Sequence, residues 1–177
     1  MLNKETLPKT GKSNLLMDFS VNRENHSITV KREFAAELPL VWSAFTQSEI
    51  LDQWWAPRPW KARTKTMSFT EGGFWHYAMV GPEGGEHWAL AKYLTIQNQK
   101  GFSALDAFAD ADGNINPEMP QSKWESTFTA GEDATLVVFQ ITFSDLAQLE
   151  TTIEMGFKEG LTAAMEGLDE IFALKAK

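Results

Sequence analysis

The stretch MGFKEGLTAAMEGLDEIF, residues 155–172, decides the fold class. Counted from Thr152, the apolar residues Ile153, Phe157, Leu161, Ala164, Met165, Leu168, Ile171 and Phe172 recur at helical spacing and share one face. Glu154, Lys158, Glu159, Glu166, Asp169 and Glu170 fall mostly on the other. The pattern predicts one C-terminal helix of about 23 residues, roughly 35 Å long and able to cross a small domain. Gly156, Gly160 and Gly167 each cost about 1 kcal/mol relative to Ala inside a helix. They point either to close packing on a neighbour or to room left for a ligand.

Upstream of this helix the period changes to two. The run WKARTKTMSF places Lys61, Arg63 and Lys65 on one side and Trp60, Ala62, Thr64 and Thr66 on the other. FWHYAM follows the pair Gly72-Gly73, with Trp75, Tyr77 and Met79 on one face and Phe74, His76 and Ala78 on the opposite one. VGPEGGE reads as a hairpin loop, because Pro82 and three glycines punctuate two strand-like runs. HWALAKYLTI, GFSALDAFAD, KWESTFTA and ATLVVFQITF complete about six strands in meander order, which short connections make antiparallel.

Before the meander, SITVKREF (residues 27–34) alternates as a first strand, and Leu15 to Val21 reads as a short strand or a segment laid over the core. Two short helices come next. Pro39 suits the first turn of one, with Leu40, Val41, Ala44 and Phe45 as its apolar stripe; Ser48 is the candidate N-cap of the other, which stops before Pro57. Residues 1–13 are polar and predicted to be a flexible tail, leaving 14–177 as one domain.

Composition narrows the function. With 177 residues and 43% hydrophobic content, the chain can bury one core. The net charge of −8 argues against a nucleic-acid binder, which needs a basic face. There is no cysteine, so disulfides and thiolate metal sites are excluded, in keeping with a cytoplasmic location. No apolar run approaches a membrane span.

The order of elements, together with VWSAFTQSEILDQWWAP, Gly72-Gly73, FWHYAM followed by VGPEGG, DAFADADG, EMP and the terminal MGFKEGLTAAMEGLDEIF, resembles the Hsp-90 ATPase activator homologue family. That family belongs to the SRPBCC (START-like) superfamily, and the resemblance runs from about Ile28 to Leu174. It implies an α+β helix-grip (Bet v-like) fold: a curved antiparallel sheet of about six to seven strands around the C-terminal helix, with a cavity between them. Relatives range from ligand carriers to a co-chaperone module, so the fold does not fix the activity. The sequence departs from the family pattern at Thr70-Glu71-Gly72-Gly73, where Arg-Pro-Gly-Gly is usual, and at Ser68, where an acid is usual. A role for that acid–arginine pair is not carried over. The co-chaperone's own role also depends on a further N-terminal domain, for which this length leaves no room.

Candidate site residues are mainly aromatic. Trp55, Trp75, Tyr77, Trp88, Trp124, Phe128, Phe157, Leu161 and Met165 are the candidates to line an apolar ligand cavity, whereas Trp54 is assigned to the core. Asp106 is in phase with Phe102, Ala104 and Phe108, so it is either a buried acid or a strand-edge acid paired with Lys61, Arg63 or Lys65. Asp106 and His87 are the candidate proton-transfer groups, and no catalytic constellation stands out beyond them. His76 is expected on the outer sheet face. The spacing of His26, His76 and His87 fits no metal motif, and no cofactor is predicted. The first function hypothesis is binding of a small apolar ligand. The alternatives are a homodimer or chaperone-accessory module using Met67, Phe69, Leu136 and Val138 as outward apolar residues, and an enzyme using a cavity acid or base.

Overall fold

The computed structural model describes residues 15–176. Elements follow in the order β1 (Met17–Asn22), β2 (Ser27–Phe34), α1 (Leu38–Thr46), α2 (Ser48–Trp54), β3 (Lys61–Met67), β4 (Phe74–Val80), β5 (Glu86–Gln97), β6 (Gly101–Ala109), β7 (Gln121–Ala130), β8 (Thr135–Phe143), α3 (Leu146–Glu154) and α4 (Phe157–Lys175). The eight strands form one antiparallel sheet in the order β1-β2-β8-β7-β6-β5-β4-β3. The sheet is therefore larger than the six to seven strands expected. The extra strand is β1, a mostly exposed edge strand in which Met17, Phe19 and Val21 alternate with Asp18, Ser20 and Asn22. It turns into β2 through a tight loop in which Asn22 Oδ1 accepts from the Asn25 amide (3.0 Å) and His26 takes a positive φ of 49°.

One face of the sheet carries the core. Ile28, Val30 and Phe34 from β2, Phe128 from β7 and Val137, Phe139 and Ile141 from β8 are all buried beneath the helices. The aromatic side chain of Phe45 in α1 meets Phe34, Phe128 and Phe139 at 5.4–5.9 Å in edge or tilted contacts, the geometry that ring quadrupoles favour. From α4, Leu161, Ala164, Met165, Leu168 and Phe172 are buried, and Phe172 packs edge-on against Phe34. Arg32 also faces inward and pairs with Asp169 of α4, which the helical pattern had placed on the solvent side. The Asp169 Oδ1 atom is buried without a partner among the described residues.

The C-terminal helix is broken where continuity was expected. Asp145 caps α3 by accepting from the Gln148 amide (2.9 Å), and α3 ends at Glu154. Gly156 then takes φ 84°, the left-handed conformation that a Cβ disfavours, and α4 starts afresh at Phe157. Gly156 thus serves the turn between two helices. Neither remaining helical glycine is tightly packed: a Cβ on Gly160 would meet only Pro57 Cγ at 3.9 Å, and one on Gly167 would meet open space. Gly156→Ala is expected to destabilise the fold by about 1 kcal/mol through backbone strain. A urea titration checks this; no loss would show that α3 and α4 can join without the left-handed turn.

A second irregularity re-aims β3. The register with β4 slips between Thr64 and Thr66, a bulge that adds one residue. Beyond it, Thr66 lies opposite His76 and Met67 opposite Trp75, so the face assignment reverses. Met67 and Phe69 consequently pack against the core, Phe69 touching Trp42, Tyr93 and Phe102, and do not form the outward patch expected of them. Leu136 and Val138 do alternate with the buried Val137 and Phe139 and face away from the helices, each half-buried.

Candidate functional site

Strand register brings the candidate residues into rows across the sheet. Trp75 on β4, Ala91 on β5 and Asp106 on β6 are successive partners, ending at Ser122 on β7. The next row runs Tyr93, Ala104, Trp124. Ala91 and Ala104 leave the floor low where their neighbours carry rings. Above this floor sits a cavity of about 50 Å³, roofed by Phe45 of α1, Leu51 of α2 and Trp55 just beyond it.

Its walls are aromatic and rigidly held. Trp75 and Tyr77 stack with centroids 3.9 Å apart, and Trp55 meets Trp75 at 5.6 Å and Trp124 at 6.1 Å. The indole N–H groups are already used by the protein: Trp55 donates to Tyr77 Oη (2.9 Å), Trp75 to Thr64 Oγ1 (3.0 Å) and Trp124 to Ser122 Oγ (3.0 Å). Thr64 Oγ1 in turn donates to Asp52 Oδ1 (2.6 Å), which ties α2 to β3 and fixes the Trp75 ring.

Asp106 is the acid of this cavity. Asp106 is half-buried among the residues that line the cavity, with aromatic rings around it. Burial pushes its carboxyl up to about 7, and among the described residues no hydrogen bond or cation offsets the desolvation. Burial, and then the Asp106 charge, raise Tyr77 and Tyr93 in the opposite sense of usefulness, away from ionisation. The alternative pairing with Lys61, Arg63 or Lys65 does not occur: Arg63 bonds Glu86, and Lys65 bonds the Ala111 carbonyl.

Other candidates lie elsewhere. Trp88 pairs with Ala78 and so stands on the outer face, over His76 (4.9 Å) and beside Arg63 and Lys65, not in the cavity. His76 is on that face too, but buried, with Nε2 2.9 Å from the Asp110 carbonyl. His87 is exposed against Trp60, remote from Asp106 in register, so the two do not form a proton-transfer pair. Phe128 is core filling beside Trp42 and Phe45. Phe157 touches Trp124 and Phe19, and Leu161 and Met165 are buried under α4, but none of the three lines the cavity. The cavity thus sits beneath the two short helices rather than beneath α4. Sequence reasoning missed Tyr93, Ser126 and the two floor alanines. Among the described residues no cluster of His, Asp and Glu could hold a metal ion, and no helix is long and apolar enough to cross a membrane.

This architecture has relatives. The family model described as Activator of Hsp90 ATPase homolog 1-like protein matches residues 35–173. The chain belongs to this family. The chain is similar to the protein Ms6760 of Mycobacterium smegmatis, at 27% identity over 89% of this chain and 96% of that one, with a TM-score of 0.81. A protein of Arthrobacter aurescens is 28% identical over 88% of this chain and 91% of that one, with a TM-score of 0.83. A protein of Silicibacter pomeroyi that carries the family's name shares the fold at 18% identity, covering 84% of this chain and 99% of that one, with a TM-score of 0.67. No curated protein matches.

Proposed function

We propose that this protein binds a small, largely apolar molecule in the cavity beneath α1 and α2, with the sheet and helices arranged in the helix-grip manner of its superfamily. The supporting observation is the coexistence of a cavity walled by aromatic rings with one dehydrated carboxyl, Asp106, that has no hydrogen-bond partner among the described residues. Apolar pockets with few polar groups are the usual form of small-molecule sites. At about 50 Å³ the space suits a compact ligand or one end of a longer one, the remainder being filled by side chains. A set of small aromatic and branched aliphatic compounds, titrated at millimolar concentration, is expected to shift backbone amide resonances around Trp75, Ala91, Ala104 and Trp124. Uniformly unmoved resonances there would defeat the reading. Trp55→Ala is expected to admit larger members of the set, because Trp55 forms the roof.

A second reading is an interaction module, as a homodimer or a chaperone accessory. It is favoured by Phe74 (48% exposed) and Leu105 (46% exposed), which flank Lys92 on the outer sheet face. A single monomer mass by sedimentation at high concentration would count against the dimer.

A further inference from the structure

The cavity's chemistry is one-sided. The three indole N–H groups around it are spent on Tyr77, Thr64 and Ser122, so the rings present π faces and edges to the interior. Among the described residues no lysine, arginine or histidine lines it. The residues lining it that carry a polar side-chain group besides the indoles are Asp106, Tyr77, Tyr93 and Ser126, and the surface they leave is almost wholly apolar. Every one of these can accept a hydrogen bond, and a hydroxyl can turn its proton away. An anionic ligand would meet a carboxyl and ring faces, both of negative potential. A neutral apolar ligand would leave the carboxyl without a partner, at the full desolvation cost of that group. A cation meets both features at once, because ring quadrupoles attract positive charge and the carboxylate pairs with it.

We infer that the preferred occupant is a compact organic cation, a protonated amine or quaternary ammonium head, paired with Asp106 and enclosed by Trp55, Trp75, Tyr77, Tyr93 and Trp124; this rests on the cavity being a ligand site. Its binding deprotonates the carboxyl, whose level of about 7 in the ligand-free protein lies at neutrality. The titratable groups facing Asp106 are Tyr77 from β4 and Tyr93 from β5, both held neutral; the lining from α1, α2, β7 and β8 contributes Phe45, Leu51, Trp124, Ser126 and Phe139, none of which titrates. Affinity for a permanently charged cation therefore falls as the pH drops below 7, with uptake of one proton at the carboxyl.

The discriminating pair is tert-butylammonium chloride and tert-butanol, alike in shape and different in charge. Binding to the full chain is followed by tryptophan fluorescence and amide shifts at pH 8. The ammonium is expected to bind about tenfold more tightly than the alcohol. That preference should vanish in Asp106→Asn, persist in Asp106→Glu, and shrink at pH 5.5. Circular dichroism establishes that each variant is folded. Equal binding of the two compounds, or a preference that survives Asp106→Asn, overturns the cation inference while leaving the cavity as a ligand site. Binding of neither compound overturns both.

Discussion

Asp106→Asn is expected to stabilise the protein at pH 8 by about 2 kcal/mol and to leave it unchanged near pH 4. In the unfolded chain this carboxyl titrates near its ordinary value of about 3.9. In the folded protein burial moves it up to about 7. Between those limits the folded state binds more protons than the unfolded one, so stability falls as the pH rises through the window. The burial is tolerated fully below about pH 4 and opposes folding above about 7. A shift of this size corresponds to roughly 4 kcal/mol for a fully enclosed group, and the partial exposure of Asp106 reduces it. Asparagine keeps the shape without the charge. The exposed carboxylates Glu86, Asp110 and Asp145, held low by Arg63, Asn114 and Gln148 respectively, act below this window. Asp169, raised by burial against the pull of Arg32, leaves a residual slope common to both proteins. Thermal melts of the two proteins from pH 4 to 9 test the difference; parallel profiles would mean that Asp106 is hydrated when folded.

Trp54→Ala is expected to cost about 3–5 kcal/mol, the range for a large aromatic removed from a packed core. Trp54 is 2% exposed, donates Nε1–H to the Ala44 carbonyl (2.9 Å) and meets Phe45 at 4.9 Å and Trp55 at 5.3 Å. Its loss leaves a void between α1 and α2 and frees the Ala44 carbonyl. Against a total stability of about 5–15 kcal/mol, the variant should be marginal at 37 °C. Urea midpoints measure it, with Trp54→Phe as the milder comparison. A loss under about 1 kcal/mol would show that α2 collapses onto the gap. The roof of the cavity would then move, because Leu51 and Trp55 lie on either side of Trp54.

Much of this fold was legible because local and tertiary preferences agree. Alternation identified β2, β4 and β8, and Pro39 began α1, whereas the phase of Asp106 with Phe102 and Ala104 left it open between a buried acid and a strand-edge acid. What escaped has physical causes. The bulge in β3 reversed the face of Met67, and nothing in KARTKTM marks the extra residue. In β5 both faces are apolar around Trp88, Ala89 and Leu90, and the register slips again between Tyr93 and Thr95, so Trp88 had no readable side. The break at Gly156 was hidden because a glycine at the end of one helix and one inside a longer helix look the same in a periodic pattern. The cavity was misplaced because its position depends on Ala91 and Ala104, residues whose contribution is the volume that they lack.

The pairing of β2 with β8 has a consequence for biosynthesis. Thr29 and Gln140 bond across a chain separation of 111 residues, and β2 has only the exposed β1 on its other side. During vectorial translation β2, α1 and α2 emerge well before β8, the strand that pairs with β2 and whose core face they pack against. Such long-range closure slows folding and exposes nascent chains to aggregation. Ribosome-stalled intermediates ending before β8 should therefore be protease-sensitive and prone to capture by holdases, and resistance should appear abruptly once β8 has cleared the exit tunnel.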